Sequence, residues 1–166
     1  MKAGEVMTTG AATVRPDASL AEAARILIEH RISGLPVVNA SGKLVGIVTE
    51  HDFLRKENGS RSRWLDVLLT EGAGQIAARE LHERRVEDVM SKSPVSVGVE
   101  TPVMELLELM ERHRVKRIPI VSNEKVVGIV SRANLLLALT RRANRTADIA
   151  ELGPASDDAA GGDTAA

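Results

Sequence analysis

Leu20, Ala23, Ala24, Leu27 and Ile28 fall at i, i+3, i+4, i+7 and i+8, the spacing that lays one apolar face along a helix. Ser19 and Glu22 stand at capping-box spacing ahead of that face. The helix is therefore predicted to begin behind Pro16-Asp17-Ala18-Ser19 and to stop near His30, before Ser33-Gly34. The period then changes. Leu35 to Val38 reads as a strand, with Pro36 marking an edge or a strand start. Asn39 to Lys43 supplies a turn. Leu44 to Thr49 follows as a second strand whose nearly unbroken apolar run predicts burial on both faces. Thr49 is expected to cap a further helix through Phe53 and Leu54 to about Lys56. Upstream, residues 3–7 read as a helical turn, Thr8 to Gly10 as its break, and Ala12-Thr13-Val14 as a short extended piece.

The same order of elements recurs. Val6-Met7 returns as Val89-Met90, an offset of 83, which also pairs Val14 with Val97, Glu22 with Glu105, His30 with His113, Arg31 with Arg114 and Pro36 with Pro119. After the hairpin turn the offset is 82, pairing Gly46 with Gly128, Ile47 with Ile129 and Val48 with Val130. One residue has been dropped in the turn, where loops tolerate it. An internal repeat fixes the architecture before any single residue is interpreted.

In the second copy Thr101 is expected to cap a helix with Pro102 at its first position. Val103, Leu106, Leu107 and Met110 would form its apolar face. The hairpin is Ile118 to Val121 and Val126 to Ser131 around Asn123-Glu124. A last helix from about Arg132 to Arg142 would bury Leu135, Leu136 and Leu139. Residues 57–85 have no counterpart in either copy. Trp64, Leu65, Leu68 and Leu69 suggest a helix ended by Gly72-Ala73-Gly74, and residues 75–81 a further helical stretch. This segment reads as a linker whose helix packs on one half or on a partner subunit. After Gly153-Pro154 the small, polar tail is predicted to be disordered. The resulting division is 1–56, 57–85, 86–142 and 143–166.

Composition narrows the function. With one Phe, one Trp and no Tyr, the core must be aliphatic and stacking platforms for single-stranded nucleic acid are missing. Lys plus Arg is 22 against 23 for Asp plus Glu, a net charge of −1, so no basic field points to nucleic acid. The lack of cysteine excludes disulfides, thiol catalysis and Cys-ligated zinc, and the four histidines show no metal spacing. No apolar run approaches the ~18 residues of a membrane span. The first residues lack the apolar core of a signal peptide, so a cytoplasmic protein with no membrane partner is expected. No nucleophile–base pair, metal cluster or pair of acids can be assembled, which argues against an enzyme.

The Val-Met start, the stretch from His30-Arg31 through Pro36 to Val38, and Gly46-Ile-Val-Thr-Glu-His-Asp52 together resemble the CBS domain, named after cystathionine β-synthase. Two in tandem resemble a Bateman module. The resemblance covers residues 5–56 and 86–140. It implies an α/β (α+β) fold of two pseudo-twofold related repeats, each with a short strand, a helix, a β-hairpin and a closing helix. It further implies clefts between the repeats for AMP, ADP or ATP, with S-adenosylmethionine a less common occupant. No tightly held cofactor is implied. Dimerisation into a flat disc is, as is regulation of another protein, although none is attached here.

Site residues follow from the same resemblance. Thr49 and Asp52, at the start of a helix after a strand, match positions that bond a phosphate and a ribose diol; read without the family, they form a helix cap. Lys116 and Arg117 match positions that reach ligand phosphates. They are expected to face Asp52 in one cleft, together with Ser96, Val97, Ile118 and Pro119. His51 adjoins that group. The opposite, weaker cleft would join Ser131 and Asn134 to Thr13, Val14, Gly34, Leu35 and Pro36. It would lack both the carboxylate and the cations. The competing reading is a structural or interaction protein whose clefts have no physiological ligand.

Overall fold

The computed structural model describes residues 1–54 and 73–151. Expectations for Trp64 and its helix, and for the tail beyond residue 151, lie outside the described residues. In chain order the elements are α1 (Ala3–Val6), β1 (Thr8–Thr9), α2 (Leu20–Glu29), β2 (Gly34–Val38), β3 (Leu44–Thr49) and α3 (Glu50–Leu54). They continue with α4 (Ala73–Glu83), a 3-10 turn (Val86–Asp88), β4 (Ser91–Lys92), β5 (Val97–Gly98), α5 (Val103–Arg112), β6 (Arg117–Ser122), β7 (Lys125–Ser131) and α6 (Arg132–Glu151).

Helix α2 starts where its pattern places it. Ser19 Oγ accepts the Glu22 backbone N–H at 3.2 Å, and His30 is the C-cap. The chain leaves the helix through Arg31 at φ 51, with Arg31 N–H donating to Ile28 O at 3.1 Å and Ile32 N–H to Leu27 O at 3.0 Å. This is a Schellman ending with arginine at the left-handed position where glycine is unstrained. Arg114, at φ 53, ends α5 in the same way.

Each hairpin forms its own sheet, and the repeats exchange strands between them. One sheet has the order β1-β7-β6-β5 and the other β2-β3-β4. Strand β1 belongs to the first repeat but pairs with β7 of the second, Thr8 opposite Ile129 and Thr9 opposite Gly128. Strand β4 does the reverse, Ser91 opposite Ile47 and Lys92 opposite Gly46. The sequence pattern reads Thr8 to Gly10 only as a break and gives no sign of this exchange. Backbone bonds extend it. Ala3 N–H donates to Thr101 O at 2.8 Å and Val103 N–H to Met1 O at 3.1 Å; their counterparts are Val86 to Ala18 at 2.9 Å and Leu20 to Arg84 at 3.0 Å.

The cores are exchanged as well. Fully buried Val86 joins the first-repeat cluster of Leu20, Ala23, Leu27, Leu35, Val37 and Val48. Ala3 joins Leu106, Met110, Ile118, Ile120 and Val130 in the second. Burying a side chain such as Val86 contributes about 1.5–3 kcal/mol, so neither half holds its full core alone.

Other expectations are refined. Strand β3 is not buried on both faces: Gly46 and Val48 are buried, while Val45 and Ile47 are half-buried. Pro102 is the N-cap of α5 rather than its first residue, because it takes the place of Ser19 and pairs with Lys2. Ala73 and Gly74 lie in the first turn of α4, which packs on α2 with Leu81 against the first core; the helix that Gly72-Ala73-Gly74 was expected to end lies outside the described residues. Within the apolar face of α5, Leu106 and Met110 point inward while Leu107 is partly exposed. Of the three α6 leucines expected inside, Leu135 is buried, while Leu136 and Leu139 are 63% and 64% exposed. The dropped turn residue changes the turn. Asn39 Oδ1 accepts Ser41 and Lys43 N–H groups, both at 3.0 Å, in the longer loop. Asn123-Glu124, both at positive φ, form the two-residue turn that suits a twisted hairpin.

A Cβ added at Gly128 would lie 2.7 Å from the Thr8 carbonyl oxygen and 2.6 Å from Met7 Sδ. At Gly46 the backbone contact is looser, 3.1 Å to Ser91 O, and the close atom is the flexible Met90 Sδ. Gly128→Ala is expected to destabilise the fold by about 1–3 kcal/mol and Gly46→Ala by less. Urea denaturation of both variants measures this; equal, negligible losses would show that the exchanged strands are not close-packed.

Candidate functional site

Strand β7 delivers the chain directly into α6, and the junction is closed by a reciprocal cap. Ser131 N–H and Oγ–H both donate to Asn134 Oδ1, at 2.9 and 2.6 Å. The Asn134 N–H lies 3.3 Å from Ser131 Oγ. Asn134 Nδ2 then donates to Thr8 Oγ1 of the exchanged strand at 3.1 Å. The first repeat builds the same junction with a carboxylate: Thr49 N–H and Oγ–H donate to Asp52 Oδ2 at 2.7 and 3.0 Å. The three-residue spacing of both pairs satisfies orphan donors of a first helical turn.

A cavity of about 490 Å³ opens at the meeting of the repeats. From the second repeat it is lined by Ile129, Ser131, Arg132, Ala133, Asn134, Lys116 and Arg117. The first repeat adds Thr8, Gly10 to Ala12, His30 to Gly34, and Pro36. Neither Thr49 nor Asp52 lines it. In this cavity Lys116 and Arg117 stand with Asn134, whereas the resemblance led us to expect them beside Asp52. The reason is steric. Residues 33–34 and 116–117 are repeat equivalents that meet across the pseudo-twofold axis. Gly34 leaves open the space that the Arg117 side chain fills; a Cβ there would lie 2.6 Å from Arg117 Cδ. The guanidinium donates to Ser33 Oγ. Burial pulls the Arg117 pKa below its ordinary value, and the charge of Glu50 opposes this; arginine nonetheless stays cationic.

The remaining expected residues divide by orientation. Val14, Leu35 and Ile118 are core side chains, and Pro119 is fully buried. Ser96 is exposed, Val97 half-buried and paired with Ile120, and Thr13 half-buried; none of the three lines the cavity. Sequence reasoning missed Thr8, Arg31 and Arg132. Thr8 enters only through strand exchange. Arg31 and Arg132 carried a signal, as cations next to a helix end and a helix start. The cavity lining contains Arg31, Lys116, Arg117 and Arg132 and no Asp or Glu. Among the described residues, no group of three His, Cys, Asp or Glu could hold a metal, and no helix is long and apolar enough to cross a membrane.

Two larger, apolar grooves flank the helices. One, of about 740 Å³, lies between α5 and α6 and includes Met104, Leu107, Leu136 and Leu139. The other, of about 560 Å³, includes Ala24, Leu27, Ile28, Phe53 and Leu81.

Comparison with known proteins agrees with this architecture. The inosine-5'-monophosphate dehydrogenase of Korarchaeum cryptofilum is 38% identical over 120 residues, 72% of this chain but 20% of that enzyme. The chain thus spans about a fifth of that relative, whose activity does not carry over. The CBS domain-containing protein YhcV of Bacillus subtilis is 30% identical over 86% of this chain and 87% of its own length. The CBS-pair protein CBSX2 of Arabidopsis thaliana superposes with a TM-score of 0.71 at 26% identity, covering 86% of this chain and 96% of that one. CBSX2 has also been solved in complex with AMP, at 26% identity, a TM-score of 0.67 and coverage of 86% of this chain and 98% of that one. The family model of the CBS domain matches twice, at residues 3–59 and 86–141. With two repeats, each lending a strand to the other's sheet, the chain belongs to the CBS-domain family as a tandem pair.

Proposed function

We propose that the chain is a regulatory, non-catalytic module in which an adenine nucleotide, AMP, ADP or ATP, occupies the cavity between the repeats and biases a dimer or partner interface. The observation that carries this reading is the 490 Å³ cavity, to which both repeats contribute and whose charged side chains are all cationic. A phosphate there meets Lys116, Arg117 and the start of α6, groups that favour an anion. The AMP complex of CBSX2 supports the ligand class. S-adenosylmethionine is a weaker candidate because its sulfonium meets like charge. On the other side of the pseudo-twofold axis, Thr49, Asp52, Ser96, Val97 and the backbone of Ile118 and Pro119 mark a second candidate cleft. Asp52 Oδ1 takes part in neither bond to Thr49 there and suits a ribose diol.

The interface we propose is a homodimer through the helices. Met104, Leu107, Leu136 and Leu139 are exposed around one groove. Ile28, 75% exposed, lies at the equivalent groove of the first repeat. A cytoplasmic setting and an unidentified regulated protein complete the proposal.

Thermal denaturation with AMP, ADP, ATP and S-adenosylmethionine tests the ligand. A nucleotide at 100 times its Kd is expected to add about 2.7 kcal/mol of stability. Replacing both Lys116 and Arg117 by Ala should weaken binding roughly ten- to a hundredfold. No response to any nucleotide would favour clefts without a physiological ligand. Sedimentation tests the dimer. Leu136→Glu with Leu139→Glu should give a folded monomer, whereas Met110, 1% exposed, belongs to the core and is unsuitable. A wild-type chain that sediments as a monomer would end the dimer proposal.

A further inference from the structure

The cavity beside Asn134 is not a neutral copy of the Asp52 side. We infer that it selects its ligand by phosphate charge and not by the ribose diol, so that it takes a nucleoside triphosphate in preference to a monophosphate and with little regard to the 2′-hydroxyl. This rests on the nucleotide reading above and specifies what that site recognises.

The first ground is uncompensated charge. Arg31, Lys116, Arg117 and Arg132 line the cavity with no acidic neighbour in the lining. Among the described residues, none of the four forms a salt bridge. Arg117 donates to the neutral Ser33 hydroxyl and feels Glu50 only as a weaker field. A monophosphate brings roughly two negative charges and leaves cations unmatched; each further phosphoryl group adds to the match.

The second ground is hydrogen-bond capacity. A vicinal diol is held by donating two O–H groups to a carboxylate. Asn134 Oδ1 already accepts two bonds from Ser131, and Nδ2 already donates to Thr8. What is left is a single N–H and no free carboxylate oxygen. Asp52, in the equivalent place, spends only Oδ2 on Thr49. The two junctions cap their helices alike, yet only one keeps an acceptor for a ribose.

The third ground is backbone strain. Arg31 ends α2 at φ 51, in the left-handed region that disfavours a side chain. Its residue lines the cavity. A glycine would relieve the strain and remove the charge, so the two effects separate in one substitution.

The test is calorimetric, on the full chain carrying Asp52→Asn so that neither side of the axis offers a ribose a carboxylate until Asn134→Asp is added. Titrants are ATP, 2′-deoxy-ATP, AMP and inorganic tripolyphosphate. ATP should bind at least about tenfold more tightly than AMP, and 2′-deoxy-ATP within about threefold of ATP. Arg31→Gly should raise the unfolding midpoint while weakening ATP about tenfold, a combination that a purely structural arginine would not give. Adding Asn134→Asp, which keeps the Ser131 bonds, should make ATP tighter than its 2′-deoxy form. AMP matching ATP, or a tenfold penalty for 2′-deoxy-ATP without Asn134→Asp, would overturn charge selection and leave the nucleotide reading standing. Tripolyphosphate binding as tightly as ATP would do the opposite. Binding of none of the four would overturn both.

Discussion

An added Cβ at Gly128 would sit 2.7 Å from the carbonyl of Thr8, closer than any side chain tolerates, and the equivalent Gly46 faces Met90 and Ser91 with a looser backbone contact of 3.1 Å. The contact between these glycines and the strand arriving from the other repeat is what the remaining structure depends on. It lets β1 and β4 each close a sheet that their own repeat does not contain. It brings Ala3 and Val86 into each other's cores. It also carries Thr8 to Asn134. A repeat that kept its leading segment to itself would lack a sheet edge, part of a core and one wall of the cleft.

Exchange makes the halves equivalent, and small departures from equivalence then matter. Where the first repeat has Ser33-Gly34, the second has Lys116-Arg117, and the missing side chain of Gly34 is the space into which Arg117 extends. Where the first repeat has Asp52, the second has Asn134. These two differences act together on the cavity: one adds cations and the other removes a carboxylate acceptor. The scaffold is nearly symmetric while its chemistry is not.

The helices and hairpins are legible in the chain because burial imposes a period on them, and the repeat is legible because both copies keep one register. The caps at Thr49–Asp52 and Ser131–Asn134 are legible from spacing alone. Strands β1 and β4 are not. Thr8-Thr9 and Ser91-Lys92 are short, polar and exposed, and their partners lie far away in sequence, so no local pattern announces them. The outward faces of Leu136 and Leu139 escape for a different reason. A helix with two apolar stripes looks, by periodicity, like a helix with one broad stripe. The grouping of Lys116 and Arg117 with Asn134 depends on where a side chain finds room, which is a property of the packed axis and not of spacing.

If the exchanged strands bind the repeats into one body, the hairpin of each repeat opens only when the whole described fold opens. Native-state hydrogen exchange resolved at the amides of β3 and β7 tests this directly. The expected result is that the most protected amides of both strands exchange with the same free energy, equal to that of global unfolding. A second-repeat hairpin that opens at distinctly lower free energy than the first, or the reverse, would contradict the account.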